Sequence, residues 1–476
     1  MSIGECNIDL DGRKSAFRIL FISPASLEFT NFESGRPTAI SHSPNLSLSF
    51  LYHWLKMKFA DRVDIRTIEQ VNYNIPFEDM PEVIRTFDPH LVGITSSTFN
   101  LLGAYRIART VKETSPECTT VLGGAHATVL PVHTLNECKD IDICVCGEGE
   151  LTMEELVECL MSGASTNDMR RIRGIAYRSD EGRVVQTPSR PVIDDLDILP
   201  FPTYEEYDMN RIDYRFCPIT NRNETYFSVF SSRGCVFKCA FCTPVLPRKF
   251  RYRSPTKVIE EIRYLREKFG AEVIYFEDSC MSTNKNWFSK VCDDFISSGL
   301  SSEVRWGFET RVDLVEPELM RKAVRAGCIF VNFGLESGSD LVLRMNRKGF
   351  TKDTILKSLK ITRESGVQII HGSFILGLPY ETSGTVEETM EFIDWVDLNM
   401  IPINVADVYP GTEFFRMVDR GDGGLRWIPG QRMNWEAYRR DTLMTEVNDL
   451  DKDRLLDYYR KILDKVERKT SIRYSI

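Results

Sequence analysis

The sequence of 476 residues has no run of 18 or more apolar residues, so no segment reads as a membrane-spanning helix. Its first stretch, MSIGECNIDLDGRKSAFRI, mixes charged and small side chains and holds no apolar h-region. No secretory leader is therefore expected, and the expected location is the cytoplasm. Basic charge is not in excess: 60 Lys and Arg stand against 69 Asp and Glu, for a net charge of −9. That argues against a general nucleic-acid-binding face, which needs a positive surface. No solenoid-type repeat is visible. Hydrophobic residues at 42% and charged residues at 27% exclude a disordered or fibrous chain. The 13 cysteines do not form a small disulfide framework in so long a chain. In a reducing compartment, a tight group among them points to metal.

What is present is a repeated alternation of strand and helix. RILFISP from Arg18, VDIRTIE, LVGITSS, TTVLGGAHAT and IDICVCGEGE read as strands. Between them LSLSFLYHWLKMKF, EDMPEVIRTF, NLLGAYRIARTVKET and LTMEELVECLMSG have helical spacing. This order implies a parallel, doubly wound sheet of the Rossmann-like kind over residues 1–165. Residues 166–225 change character, with GIAYRS and RVVQTP around a DEG turn and a proline-rich LDILPFPTY, and read as a connector with a hairpin. Six further strands, YFSVFSS, EVIYFED, VRWGFET, FVNFGLES, IIHGSFILGLP and INVADVYPG, alternate with helices over residues 226–425. They predict a (β/α)6 partial TIM barrel with its function at the C-terminal strand ends. Residues 426–476 end in the amphipathic DKDRLLDYYRKILDKVERK, a helical C-terminal tail.

The most informative segment is SSRGCVFKCAFC, which places Cys235, Cys239 and Cys242 as Cys-x-x-x-Cys-x-x-Cys directly after a strand. Three thiolates on one tight loop suit an iron–sulfur cluster. With no fourth cysteine in normal spacing, one iron of a four-iron cluster would stay open to a small molecule. Zinc would need a fourth ligand that no nearby His or Cys supplies, and three buried structural cysteines are the plainer alternative. Cys144 and Cys146 alternate on a strand and read as core, as does Cys280 after its strand.

Cys235, Cys239 and Cys242, with Phe241 before the last, resemble the signature of radical S-adenosylmethionine (SAM) enzymes. YFED (Tyr275 to Asp278), GFETRVD (Gly307 to Asp313), NFGLESGS (Asn332 to Ser339), GSFILGLPYET (Gly372 to Thr382) and YPGTEFF (Tyr409 to Phe415) extend the resemblance along the barrel. It implies a [4Fe–4S] cluster that chelates S-adenosylmethionine, reductive cleavage to a 5′-deoxyadenosyl radical, and hydrogen abstraction from a small-molecule substrate in an enclosed cavity. Glu277 and Asp278 would accept from the methionine ammonium. Glu309 and Arg311 would share a face and pair, or Arg311 would hold the carboxylate. Glu336 and Ser337 would meet the ribose, and Gly377, Pro379 and Pro410 would let the backbone approach the cofactor. His371 stands as a proton donor, a substrate contact or a core histidine. An external electron donor such as flavodoxin or ferredoxin is implied, with no nucleic-acid or membrane partner.

The N-terminal sheet resembles the cobalamin-binding domain of the cobalamin-dependent radical SAM subfamily, through HSPNLSLSFLYHWL, DPHLVGITSSTFN, VLGGAHATVLP and DICVCGEGE. The resemblance implies that Gly123, Gly124, Gly147 and Gly149 pass close to the macrocycle or its tail, and that Thr95, Ser96 and Ser97 hydrogen-bond the tail. Asp88-Pro89-His90-Leu91-Val92-Gly93 matches the Asp-x-His-x-x-Gly pattern of a cobalt-ligating histidine, but it leads into a middle strand rather than following the first. His90 is therefore not expected to be a ligand, and the loop after the first strand offers only His42. The expected activity is cobalamin-dependent C-methylation in a biosynthetic pathway. The alternatives are a non-methylating dehydration, cyclisation or rearrangement of a small metabolite such as a sugar, and a binding protein with a structural cluster. Tyr204, Tyr207, Tyr214 and Phe216 are candidates for the cavity mouth or for plain packing.

Overall fold

Parallel strands covered on both faces are written as unbroken apolar runs, and the runs in this sequence become strands of that kind. The computed structural model describes residues 16–27, 43–163, 165, 168–243, 245, 247–438 and 442–470. It divides into two compact units, Met1–Tyr214 and Arg215–Ile476. His42 lies outside the described residues.

In the first unit β1 (Phe17–Ser23), β2 (Val63–Glu69), β3 (Leu91–Thr95), β4 (Thr119–Gly123) and β5 (Ile143–Val145) are all parallel, in the order 2-1-3-4-5. Ile19, Leu20, Ile22, Leu91 and Val92 are buried at its centre. The helix Leu46–Phe59 starts where the Asn45 side chain accepts from the Leu48 N–H, a normal N-cap. In this order the connections leave β1 in opposite directions, so a crevice opens at the C-terminal ends of β1 and β3. The hairpin expected in the connector forms as β6 (Ile175–Arg178) and β7 (Val184–Gln186). It is not a separate piece: β6 pairs antiparallel with β5, Tyr177 opposite Ile143, and extends the same sheet to seven strands. The open edge of β5 and a buried Tyr177 side chain account for the docking. Tyr204 and Tyr207 are buried in this unit, and the Tyr207 hydroxyl donates to the Asn45 carbonyl at 3.1 Å, so they pack rather than line an opening.

The second unit holds six parallel strands, Tyr226–Val229, Val273–Phe276, Arg305–Thr310, Cys328–Glu336, Ile369–Leu376 and Ile403–Val405, in sequential spatial order. This is the partial barrel that the six β/α units imply. Its helix-covered face buries Phe227, Phe276, Trp306, Phe308, Phe333 and Phe374. The other face is mixed: Tyr226, Val273, Tyr275 and Phe330 form a buried cluster there, while along Ile369–Leu376 half-buried and buried residues alternate strictly, with His371 and Ser373 in the half-buried set. Adjacent strands place Asn332 between Glu309 and His371. The C-terminal helix Lys452–Thr470 lies against the helix Ser383–Trp395, through Lys465 to Asp394 at 2.6 Å and Tyr458 to Glu387 at 3.0 Å. No described helix is long and apolar enough to cross a membrane.

Candidate functional site

The cysteine loop leaves the first barrel strand and is fixed at its root by Asp278, at the end of the second. The Asp278 carboxylate accepts from the Ser231 N–H at 3.2 Å, the Ser231 hydroxyl at 2.9 Å and the Ser232 hydroxyl. Asp278 is 1% exposed, and burial pushes its pKa up to about 6 against those hydrogen bonds. This differs from the sequence expectation: Asp278 faces the loop backbone, and its oxygens are spent there. Gly234 precedes the first cysteine of the loop. Its φ is +87°, and a Cβ there would fall 2.2 Å from the Lys249 carbonyl oxygen, where only glycine fits.

Cys235 and Cys239 are half buried and Cys242 is exposed. Surrounding protein and then the nearby Cys239 and Cys235 thiols push the Cys242 thiol above its ordinary value, although solvent reaches the residue. Among the described residues no three His, Cys, Asp or Glu side chains stand in coordinating geometry. The Cys280 thiol is buried and engages the Thr310 hydroxyl at 3.7 Å.

Arg311 reaches the loop from the third strand end. Its Nη1 lies 3.8 Å from the Cys239 sulfur, and its guanidinium stacks 3.8 Å from the Phe237 ring centroid. It makes a two-pronged pair with Asp313, both contacts at 2.9 Å, and donates to the Lys348 carbonyl. The expected Glu309–Arg311 pair does not form: the strand ladder ends at Thr310, Arg311 continues in extended backbone, and its guanidinium is taken by Asp313. Glu309 instead accepts on Oε1 from the Tyr275 hydroxyl at 2.7 Å and Asn332 at 2.8 Å. Glu277 accepts from Ser228 at 2.9 Å.

Glu336 has a left-handed backbone (φ +67°) and pairs with Lys348 at 2.9 Å, both nearly buried. Such strain costs about 1–3 kcal/mol and collects at functional sites. Lys348 also lies 5.8 Å above the Phe241 ring. Ser337 is fully buried against Thr389 and Ser339, so the expected ribose contact does not reach an open surface. The Gly377 N–H donates to Glu381 at 2.6 Å, and Pro410 is buried beside Gly411. Burial holds His371 neutral, with a pKa near 4, edge-on to Phe330. Phe237, Asp313, Lys348, Tyr275 and Asn332 were not singled out in the sequence. Phe237, Tyr275, Asp313 and Asn332 lay inside the sequence motifs without a role assigned to them, while Lys348 lay outside every motif.

In the first unit Thr95 ends β3 at the crevice, and Ser96 and Ser97 form the turn that follows it. The Ser96 hydroxyl is committed to the Ser97 carbonyl at 2.7 Å, and Asn100 ties this turn to the Pro24 carbonyl at 3.2 Å. Gly124 (φ +94°) backs onto Ser96, whose carbonyl oxygen would stand 2.5 Å from a Cβ. It serves the fold, whereas Gly123 and Gly147 face open space with nothing within 4 Å of a Cβ, a cradle a ligand can fill. His90 stands at the other end of the sheet, where its Nδ1 accepts from the Arg18 N–H at 2.9 Å and its ring stacks on Phe17. It is a structural residue, as its place before a middle strand implied.

Comparison with known proteins agrees with both units. The chain matches the Radical SAM superfamily over residues 229–393 and the B12 binding domain over residues 54–157. It is 31% identical over 397 residues to an uncharacterized methyltransferase of Pyrococcus horikoshii, covering 83% of this chain and 81% of the relative. It is 30% identical over 444 residues to an anaerobic magnesium-protoporphyrin IX monomethyl ester cyclase of Rubrivivax gelatinosus, covering 92% and 75%. The radical SAM methyltransferase TsrM of Kitasatospora setae shares the fold, with a TM-score of 0.72 at 16% identity, over 95% of this chain and 89% of that one. The motif resemblance, the α/β architecture and the expected cofactors are thereby borne out. The chain belongs to the radical SAM superfamily as a cobalamin-dependent member, with a [4Fe–4S] cluster, S-adenosylmethionine and cobalamin as its cofactors.

Proposed function

We infer that this enzyme methylates an unactivated carbon of a small molecule. The observation that carries the reading is the relative named a methyltransferase, aligned over 83% of the chain and so across both units. When bound, the cluster and S-adenosylmethionine supply a carbon radical that abstracts hydrogen, and cobalamin supplies the methyl group.

The chain's residues would divide the work as follows. Cys235, Cys239 and Cys242 hold the cluster. Arg311 donates toward the Cys239 sulfur and is kept in place by Asp313 and Phe237. Asp278 positions the loop through Ser231 and Ser232, which leaves Glu277 to meet the methionine ammonium. Glu336, aimed by Lys348, faces the ribose, with Ser337 behind it. Phe241, Gly377 and Pro410 shape the remaining wall. Thr95, Gly123 and Gly147 border the cobalamin tail, with Ser96 and Gly124 supporting them from behind. Glu309, with only Oε1 taken by Tyr275 and Asn332, turns Oε2 to a substrate donor on the mixed face of the barrel. Burial leaves the His371 imidazole uncharged at neutral pH, so it offers a neutral contact there.

A second reading, radical cyclisation or rearrangement without methyl transfer, is favoured by the relative named a cyclase over 92% of the chain. Turnover with S-adenosylmethionine carrying a deuterated methyl group separates the two. The methylation reading expects a labelled methyl in the product, together with 5′-deoxyadenosine and S-adenosylhomocysteine. A product of unchanged carbon count, with 5′-deoxyadenosine alone, would establish the second reading instead.

A further inference from the structure

A radical SAM cluster must take one electron from outside the chain before each cleavage. The structure shows where the loop that carries its cysteines meets the surface. Val236, the residue after Cys235, is 42% exposed, so side-chain cover is missing one peptide unit from a cluster thiol. It forms one wall of a hollow of about 690 Å³ that is also lined by Arg248, Lys249, Phe250, Tyr252 and Lys285. None of the lining residues is acidic. Arg248 and Lys249 are exposed on the rim, Lys238 is exposed on the cysteine loop itself, and Lys285 pairs with Glu316 at 2.5 Å. Behind them Phe250, Tyr252 and Trp287 form an aromatic shelf, with ring centroids 5.3 to 6.3 Å apart. Tyr252 is also 42% exposed.

The chain as a whole carries −9, so its net charge disfavours an acidic partner and a local cationic patch is what would draw one. A small apolar centre with a charged rim is the anatomy of a brief electron-transfer encounter, which buries less than about 1,200 Å². We propose that the Val236–Tyr252 hollow is the docking surface for a small acidic protein with a one-electron centre. The donor's centre loses one electron and the cluster gains it, with no bond made or broken. The proposal rests on the cluster assignment and is indifferent to whether the product is methylated.

The test compares two reductants on the reconstituted holoenzyme. Cluster reduction is followed by loss of visible absorbance, with reduced flavodoxin as the protein donor and dithionite as the small one. The double variant Arg248→Glu/Lys249→Glu is expected to slow reduction by flavodoxin about tenfold or more at low salt and to lose its salt dependence. Reduction by dithionite stays as in the parent. Lys461→Glu/Arg468→Glu on the C-terminal helix makes the same change in net charge and is expected to leave both rates alone. If the reversal lowers cluster content, Arg248→Gln/Lys249→Gln carries the test, with the same selective slowing at smaller size. Equal slowing by both charge-reversal pairs, or unchanged flavodoxin kinetics in the Arg248/Lys249 variants, would overturn the docking surface. Failure of dithionite to reduce the parent protein would instead count against the cluster.

Discussion

Arg311 and Cys239 meet at 3.8 Å across the mouth of the second unit, guanidinium to sulfur. The contact is pre-set, because Asp313 takes two of the guanidinium's nitrogens, the Lys348 carbonyl accepts from one of them, and Phe237 carries its face. A charged donor aimed at a cluster thiolate stabilises the more negative, reduced form. Arg311→Gln is therefore expected to move the cluster's reduction potential to a more negative value in a redox titration followed by electron paramagnetic resonance. It should also cost about 1–3 kcal/mol of stability, since Asp313 and the Lys348 carbonyl lose their donor. An unchanged potential would show that Arg311 acts elsewhere.

Neighbouring glycines in the first unit should behave differently. Gly124→Ala forces a Cβ to within 2.5 Å of the Ser96 carbonyl oxygen at a φ of +94°, and is expected to destabilise the first unit by about 1–3 kcal/mol. Gly123→Ala meets nothing within 4 Å and should leave stability nearly unchanged while weakening cobalamin retention. Thermal unfolding and cobalamin content after gel filtration report the two effects separately.

His90→Ala tests whether the Asp-x-His-x-x-Gly match is accidental. The bound-cobalamin spectrum is expected to be the same as in the parent. Stability should fall by about 1 kcal/mol, because the Arg18 N–H loses its acceptor. A spectral change at the cobalt would mean that His90 reaches the metal.

Much of the architecture was open to reading because its strands are covered on both faces, so RILFIS, LVGIT and VIYF appear as plain apolar runs between helices of amphipathic spacing. The cysteine spacing was equally local. The site's partners were not. Asp278 was expected at the methionine ammonium, yet it accepts from Ser231 and Ser232, which return to it from 46 or 47 residues away. Ser337 lies in a motif but is enclosed by Thr389. Arg311 offered Glu309 as a partner two residues before it, but Asp313, two residues after it, takes the guanidinium. The β6–β7 hairpin was visible as a hairpin, but its docking on β5 depends on an open sheet edge that no local pattern records.

Glu381 links pH to the stability of the second unit. It is 1% exposed, and burial pushes its pKa up to about 8 despite the Gly377 N–H. The folded state then holds a proton that the unfolded state releases near 4.5. Stability falls as pH rises from about 4.5 to 8, by at most about 1.4 kcal/mol per pH unit from this group. Glu381→Gln, which cannot ionise, is expected to flatten that slope in denaturant titrations between pH 5 and 8. An unchanged slope would place the titration on another group.

The most direct measurement is iron and sulfide content of anaerobically reconstituted protein, read together with 5′-deoxyadenosine released on reduction in the presence of S-adenosylmethionine. With Cys235, Cys239 and Cys242 as the ligands, the parent should hold about four irons and four sulfides per chain and release the nucleoside, while Cys239→Ala loses both. Zinc at the loop, or full nucleoside release from Cys239→Ala, would contradict the account.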